Sequence, residues 1–159
     1  MSNQYLPVQE KVNKLVSLYE KNLLQEALIE AKSLTNQHPN VSVIYNIYGV
    51  INIALGNWNQ SAICFSKAIK LKTDYVEAHH NLGIALDNLG QLEEAIQSYT
   101  KALELKPDFA TAHESLIRIL SFYNPKKPNL NPLAILHGLF KKINPISVSY
   151  TENLNRTAN

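Results

Sequence analysis

A single cysteine, Cys64, occurs in the 159 residues, which excludes an internal disulfide and any metal site built on several thiolates. No uninterrupted apolar run approaches the ~20 residues that a helix needs to cross a bilayer. The start, Met1-Ser2-Asn3-Gln4-Tyr5-Leu6-Pro7, has neither the basic opening nor the apolar core of a secretory signal. Charge of one sign is also missing: 15 Lys and Arg stand against 13 Asp and Glu, for a net charge of +2. A dedicated nucleic-acid binder would carry a strongly basic domain instead. Glycine is scarce, at five residues, and the five do not cluster into a loop that could cradle phosphates. The expectation is a cytoplasmic protein with no nucleic-acid partner and no membrane span. The composition, 45% apolar and 18% charged, is globular, and the length suits one domain or a short repeat array.

An internal period of 34 residues is present. Aligning Gly83 with Gly49 brings Gly90 onto Gly56, Tyr99 onto Phe65 and Ala102 onto Ala68. Lys101-Ala102-Leu103-Glu104-Leu105-Lys106 repeats Lys67-Ala68-Ile69-Lys70-Leu71-Lys72 at the same offset. One step back sets Ala27 against Ser61 and Ala95, and Pro39 against Thr73 and Pro107. The units are 8–41, 42–75 and 76–109, and a truncated fourth begins at Ala110.

Each unit reads as two short amphipathic helices. In the third, Ala78, Leu82, Ala85 and Leu86 have helical spacing, and Asn88-Leu89-Gly90 supplies a turn. Leu92, Ala95, Ile96, Tyr99, Ala102 and Leu103 make a second stripe, closed by Lys106-Pro107. Helices are expected at 8–21, 24–37, 42–55, 58–71, 76–89, 92–105 and 110–123. Small residues, Gly83, Ala95 and Ala102, sit where two helix backbones must approach, and Tyr99 fills the space between them.

These residues resemble the tetratricopeptide repeat family. Leu82, Gly83, Gly90, Ala95, Tyr99, Ala102 and Pro107 match its signature, as do Gly49, Gly56, Phe65 and Ala68. The resemblance implies an all-α, right-handed superhelix of three helix-turn-helix repeats over 8–123, with 110–123 as a capping helix. It implies a concave surface, lined by the first helix of each pair, for protein or peptide binding. The first unit departs from the pattern: Leu15 and Leu34 replace small residues, and Ala31 stands where Phe65 and Tyr99 stand later. Leu34 then fills volume that Ala31 vacates.

No enzyme chemistry is expected, and no cofactor, metal or catalytic residue. His79 and His80 are adjacent, so on a helix they diverge by about 100° and cannot grip one ion. His79 falls at a bulky packing place that Tyr45 fills one unit earlier. His80 faces the expected concave surface. Glu93 and Glu94 begin a helix, where carboxylates complement its dipole. Cys64 lies mid-helix with no basic neighbour to lower its pKa.

Projected onto this sequence, the family's binding surface takes Val12, Val16 and Tyr19 from the first unit and Val43, Asn46, Val50 and Ile53 from the second. It takes Glu77, His80, Asn81, Ile84 and Asp87 from the third, and Glu114 and Arg118 from the cap. The family's clamp for acidic chaperone tails uses lysine, asparagine and arginine. Its places here hold Val12, Val16, Ile47, Glu77 and Asn81, without a cation, which disfavours that role. Helix 42–55 is apolar nearly all round, so either its neighbours bury it or an apolar groove of Val12, Val16, Val50, Ile53 and Ile84 is covered by something.

Residues 124–159 read as a linker and tail. Pro125 to Pro132 is extended, and 132–143 is a short amphipathic segment with Leu133, Leu136, Leu139, Phe140 and Ile143 on its apolar side. The third unit has a net charge of −4 and residues 110–159 one of +4, which is compatible with the segment docking on the groove. The expected function is a non-catalytic adaptor or scaffold module that holds a peptide or helix of a partner. Two alternatives remain open. One is the N-terminal repeat region of a larger or truncated glycosyltransferase or sulfotransferase; the other is a self-associating homo-oligomer.

Overall fold

The computed structural model describes residues 7–122 and, apart from these, Gly138. The linker and amphipathic segment expected in 124–159 lie outside the described residues. Among those described there are seven helices and no strand: α1 Val8–Glu20, α2 Leu24–Gln37, α3 Ser42–Ala54, α4 Trp58–Leu71, α5 Val76–Asn88, α6 Leu92–Leu105 and α7 Ala110–Phe122. Their starts keep the 34-residue period. Helices α1, α3 and α5 end one residue earlier than the pattern suggests, because a turn is already forming there. No described helix is long and apolar enough to cross a membrane.

The turns explain where the helices stop. Asn57 N–H donates to Asn52 O at 2.8 Å, and Gln91 N–H to Leu86 O at 2.9 Å. Such a six-to-one bond closes a helix through a residue in the left-handed region. Gly56 and Gly90 hold it, with φ of 73° and 74°. In the first pair Asn22 stands there at φ 58°, and Leu23 N–H donates to Leu18 O at 3.0 Å. Asparagine is among the few residues that enter this region at modest cost.

Connections between pairs repeat as well. Lys72 lies over the Tyr75 ring, 5.2 Å from its centroid, and Lys106 over Phe109 at 5.5 Å. His79 Nε2 is 2.9 Å from Thr73 O, and His113 Nε2 is 2.8 Å from Pro107 O. Both imidazoles thus tie the start of a first helix to the turn before it. The histidine at 79 is buried, so it is a structural group.

Packing follows the small and large residues. A Cβ on Gly49 would sit 2.5 Å from Phe65 Cε1, and one on Gly83 would sit 2.5 Å from Tyr99 Cε1. Both rings are fully buried, and each contributes about 1.5–3 kcal/mol relative to exposure. In the first pair Leu15, Ala27, Ala31 and Leu34 are buried in one cluster with Ile44 and Ile51. The large-for-small exchange therefore keeps the volume filled. At the other end Ala112, Leu116, Ile119 and Leu120 of α7 pack on Ala95, Ile96, Tyr99 and Leu103 of α6.

Sequential helices pack on one another, and α1 also touches α3, α3 touches α5, and α5 touches α7. The first helices form a continuous inner layer, with α2, α4 and α6 outside it. Helix α3 is apolar on all sides because α1, α2, α4 and α5 surround it. Its Ile44 and Ile51 are fully buried, whereas Val43, Val50 and Ile53 keep partial exposure on the inner side.

Candidate interaction groove

The inner layer sets side chains of α1, α3, α5 and α7 next to one another. Val16 and Tyr19 of α1 are half-buried, and both pack against the first core cluster. Val43, Asn46, Val50 and Ile53 of α3 are half-buried too, as are His80, Asn81, Ile84 and Asp87 of α5. Glu77, Glu114 and Arg118 are exposed. Val12 differs from the expectation. At 5% exposure it is a core residue among Leu15, Ala27 and Ile44, so it offers no surface to a partner. Its place on the helix points between α1 and its neighbours rather than out of the layer.

Polar ties cross the layer. Asn81 Nδ2 donates to Asn46 Oδ1 at 3.3 Å, linking α5 to α3. Arg118 of α7 pairs with Asp87 of α5, and Ser115 Oγ lies 3.4 Å from His80 Nε2. The arginine side chain is 55% exposed, so the pair positions its partners more than it stabilises the fold. The His80 ring also packs on Tyr99, 5.6 Å between centroids, and edge-on to Phe109 at 5.1 Å. Burial lowers its pKa, against bonds to the Thr111 backbone and the Asn81 side chain. The imidazole at 80 is therefore neutral at pH 7 and serves as a polar contact rather than a cation.

Three participants escape the projection from the repeat pattern. Tyr75, in the turn before α5, bonds to the Asn46 side chain; burial and then Glu77 push its phenol up. Ser115 meets His80 across the layer. Tyr99, a packing residue by sequence, turns its hydroxyl towards this cluster. Burial pushes that phenol up to about 12, with Asp87 adding to the rise and Ser115 and Arg118 opposing it. The hydroxyl is buried without a hydrogen bond of normal geometry. The aromatic signal at 99 was legible, but its polar end belongs to a neighbouring repeat, which periodicity does not report.

The described residues include no group of three or more His, Cys, Asp or Glu placed to hold a metal ion. Burial pushes the Cys64 thiol up to about 11, with a bond from Gln60 opposing it, so the reactive thiolate is scarce at neutral pH. The arrangement is a surface for contact: an apolar floor of Val16, Val50, Ile53 and Ile84 edged by amides and charges. Together the fold and this surface define an all-α helical repeat protein.

Comparison with known proteins agrees. Residues 76–109 match the model of the tetratricopeptide repeat, and residues 49–90 match a second TPR repeat model. Residues 49–109 therefore carry tetratricopeptide repeats. It is 29% identical over 84 residues to Protein FlbA of Caulobacter vibrioides, a stretch covering 53% of this chain and 14% of that protein. The chain thus spans a small part of this relative's length. Among solved structures, the first TPR of Spaghetti (RPAP3) bound to an HSP90 peptide superposes with a TM-score of 0.70 at 22% identity, covering 72% of this chain and 90% of that one. The crystal structure of MamA gives a TM-score of 0.70 at 23% identity, covering 91% and 81%. At these identities the likeness is one of fold.

Proposed function

We propose that the chain is a cytoplasmic interaction module of repeats 8–41, 42–75 and 76–109, closed by the helix at 110–123, whose inner groove holds a peptide or helix of a partner protein. The observation that carries this reading is the set of half-buried apolar residues, Val16, Val50, Ile53 and Ile84, on the first helices α1, α3 and α5 of the three pairs. Side chains of this kind lose water-exposed area when an apolar partner surface covers them. Asn46, Asn81 and Tyr19 would fix orientation through hydrogen bonds. Glu77, Glu114 and the Asp87–Arg118 pair leave the rim with more negative than positive charge. The partner is therefore apolar with basic flanks, unlike the acidic tails that a lysine-lined clamp takes.

The test is a selection of a displayed random-peptide library on the full chain, followed by Val50→Glu. Binding of the enriched peptides should be lost while helical ellipticity at 222 nm is unchanged. Retained binding, or loss of the helices themselves, refutes the groove. Light scattering on the full chain and on a version ending at Asn124 separates two related arrangements. Monomeric full chain with an associating truncation supports cover by 132–143, and a dimeric full chain supports self-association.

A further inference from the structure

The outer layer holds a second surface, and it is unlike the first. Four large apolar side chains are exposed among the described residues, and two of them, Ile29 on α2 at 71% and Ile63 on α4 at 61%, occupy the same place in consecutive repeats. Between α2 and α4 lies an open dent of about 360 Å³, with Tyr45, Tyr48 and Cys64 at its base and Lys32, Ile63 and Lys67 around it. The ammonium of Lys67 lies 5.8 Å from the centroid of the Tyr45 ring. Both charged residues lining the dent are cations. The nearby carboxylate of Glu30 is paired with Lys14 at 3.4 Å.

The chain carries its own control. One repeat later, the same dent recurs between α4 and α6, at about 330 Å³. Its lining includes Ser66, His79, Leu82, Gln97, Ser98 and Lys101, at the places of Lys32, Tyr45, Tyr48, Ile63, Cys64 and Lys67, and it has Glu94 where the first has Gln60. The fold therefore requires a dent at this position but not its chemistry. The second dent has Ala62, Leu82 and Leu86 as its apolar part, with one cation and one anion. The first has two tyrosines and Ile63 beside the polar Thr35, Asn36 and Gln60, with two cations and no anion, a charge that the helix packing does not demand.

We propose that the dent between α2 and α4 is a docking site for an acidic peptide segment carrying one apolar anchor residue. The anchor enters beside Ile63 over the two tyrosine rings, where it removes apolar area from water. Carboxylates on either side of it meet Lys32 and Lys67. The dent holds one side chain rather than a base-by-base track, and two lysines do not make the extended basic path that single-stranded nucleic acid follows. The site is independent of the inner groove and opposite to it in preferred charge, so one partner of each kind can be held at once.

The test is fluorescence anisotropy of a labelled peptide, Asp-Glu-Ser-Phe-Asp-Glu, titrated with the full chain at low salt. Saturable binding that weakens with added salt is expected, together with none for the charge-reversed peptide Lys-Lys-Ser-Phe-Lys-Lys. The double substitution Ile63→Gln with Lys32→Ser should weaken binding by about tenfold or more. It imports residues that the next repeat already tolerates, so the fold should survive, and an unchanged ellipticity at 222 nm confirms that. Val50→Glu in the inner groove should leave the affinity as it was. The proposal is overturned by absence of saturation, by insensitivity to the double substitution, by loss of binding on Val50→Glu, or by equal binding of oligo(dT) with the same dependence.

Discussion

Replacing Gly83 by alanine sets two known effects against each other. In a helix interior alanine is favoured over glycine by about 0.8–1 kcal/mol, so an unobstructed Gly83→Ala would stabilise α5. The added methyl carbon would instead lie 2.5, 2.7 and 2.9 Å from Cε1, Cδ1 and Cζ of Tyr99. That ring is fully buried among Ala95, Ala102 and Leu103, so it has little room to withdraw. Overpacking of this kind costs about 1–3 kcal/mol, and it acts on top of the propensity gain. The net expectation is a loss of up to about 2 kcal/mol, read as a urea midpoint lower by up to about 1 M at ordinary slopes. The companion measurement is a double-mutant cycle with Tyr99→Leu. In that background Gly83→Ala should become neutral or stabilising, with a coupling energy of about 1–3 kcal/mol. A higher midpoint for Gly83→Ala in the unmodified chain would refute the argument that glycine is there for the approach of the ring.

Other outcomes follow from the same structure. Tyr99→Phe removes a buried hydroxyl that lacks a well-formed bond and restores the residue found at Phe65, so stability should be unchanged or higher by up to about 1 kcal/mol in the same denaturation. His80 has a lowered pKa in the folded chain, so as pH falls below about 6.5 the unfolded chain binds its proton first and stability declines; above that value the contribution is constant. His80→Gln should flatten this part of the pH profile, and an identical slope would show that another group causes it. Arg118→Ala should change the urea midpoint little, since the arginine side chain is 55% exposed and a pair with so exposed a member contributes about 1 kcal/mol or less.

Most of the architecture could be read before any coordinates. The 34-residue offset places all seven helices, because the same glycine, alanine and aromatic spacing recurs wherever two helix backbones meet. Even the irregular first repeat was legible. Leu15, Ala31 and Leu34 exchange volume in a way that only a shared interior would require, and they are buried together. Periodicity gives the direction in which a side chain leaves its helix, and helix–helix contact follows from that direction when the neighbour is the next helix in the chain.

What the period could not assign is how much of each direction a more distant neighbour fills. Val12 and Val16 are one turn apart on the same stripe, yet the first is core and the second is half-open. The ties Asn46–Asn81 and Asp87–Arg118 join residues 35 and 31 apart, set by the offset between inner helices rather than by any local pattern. The outer dent is likewise a product of stacking. Lys32, Tyr45, Ile63 and Lys67 are unremarkable along the chain and become a surface only when α2, α3 and α4 come together. Local spacing therefore determined the helices and their pairing, and the superposition of one repeat on the next determined which faces remain open to a partner.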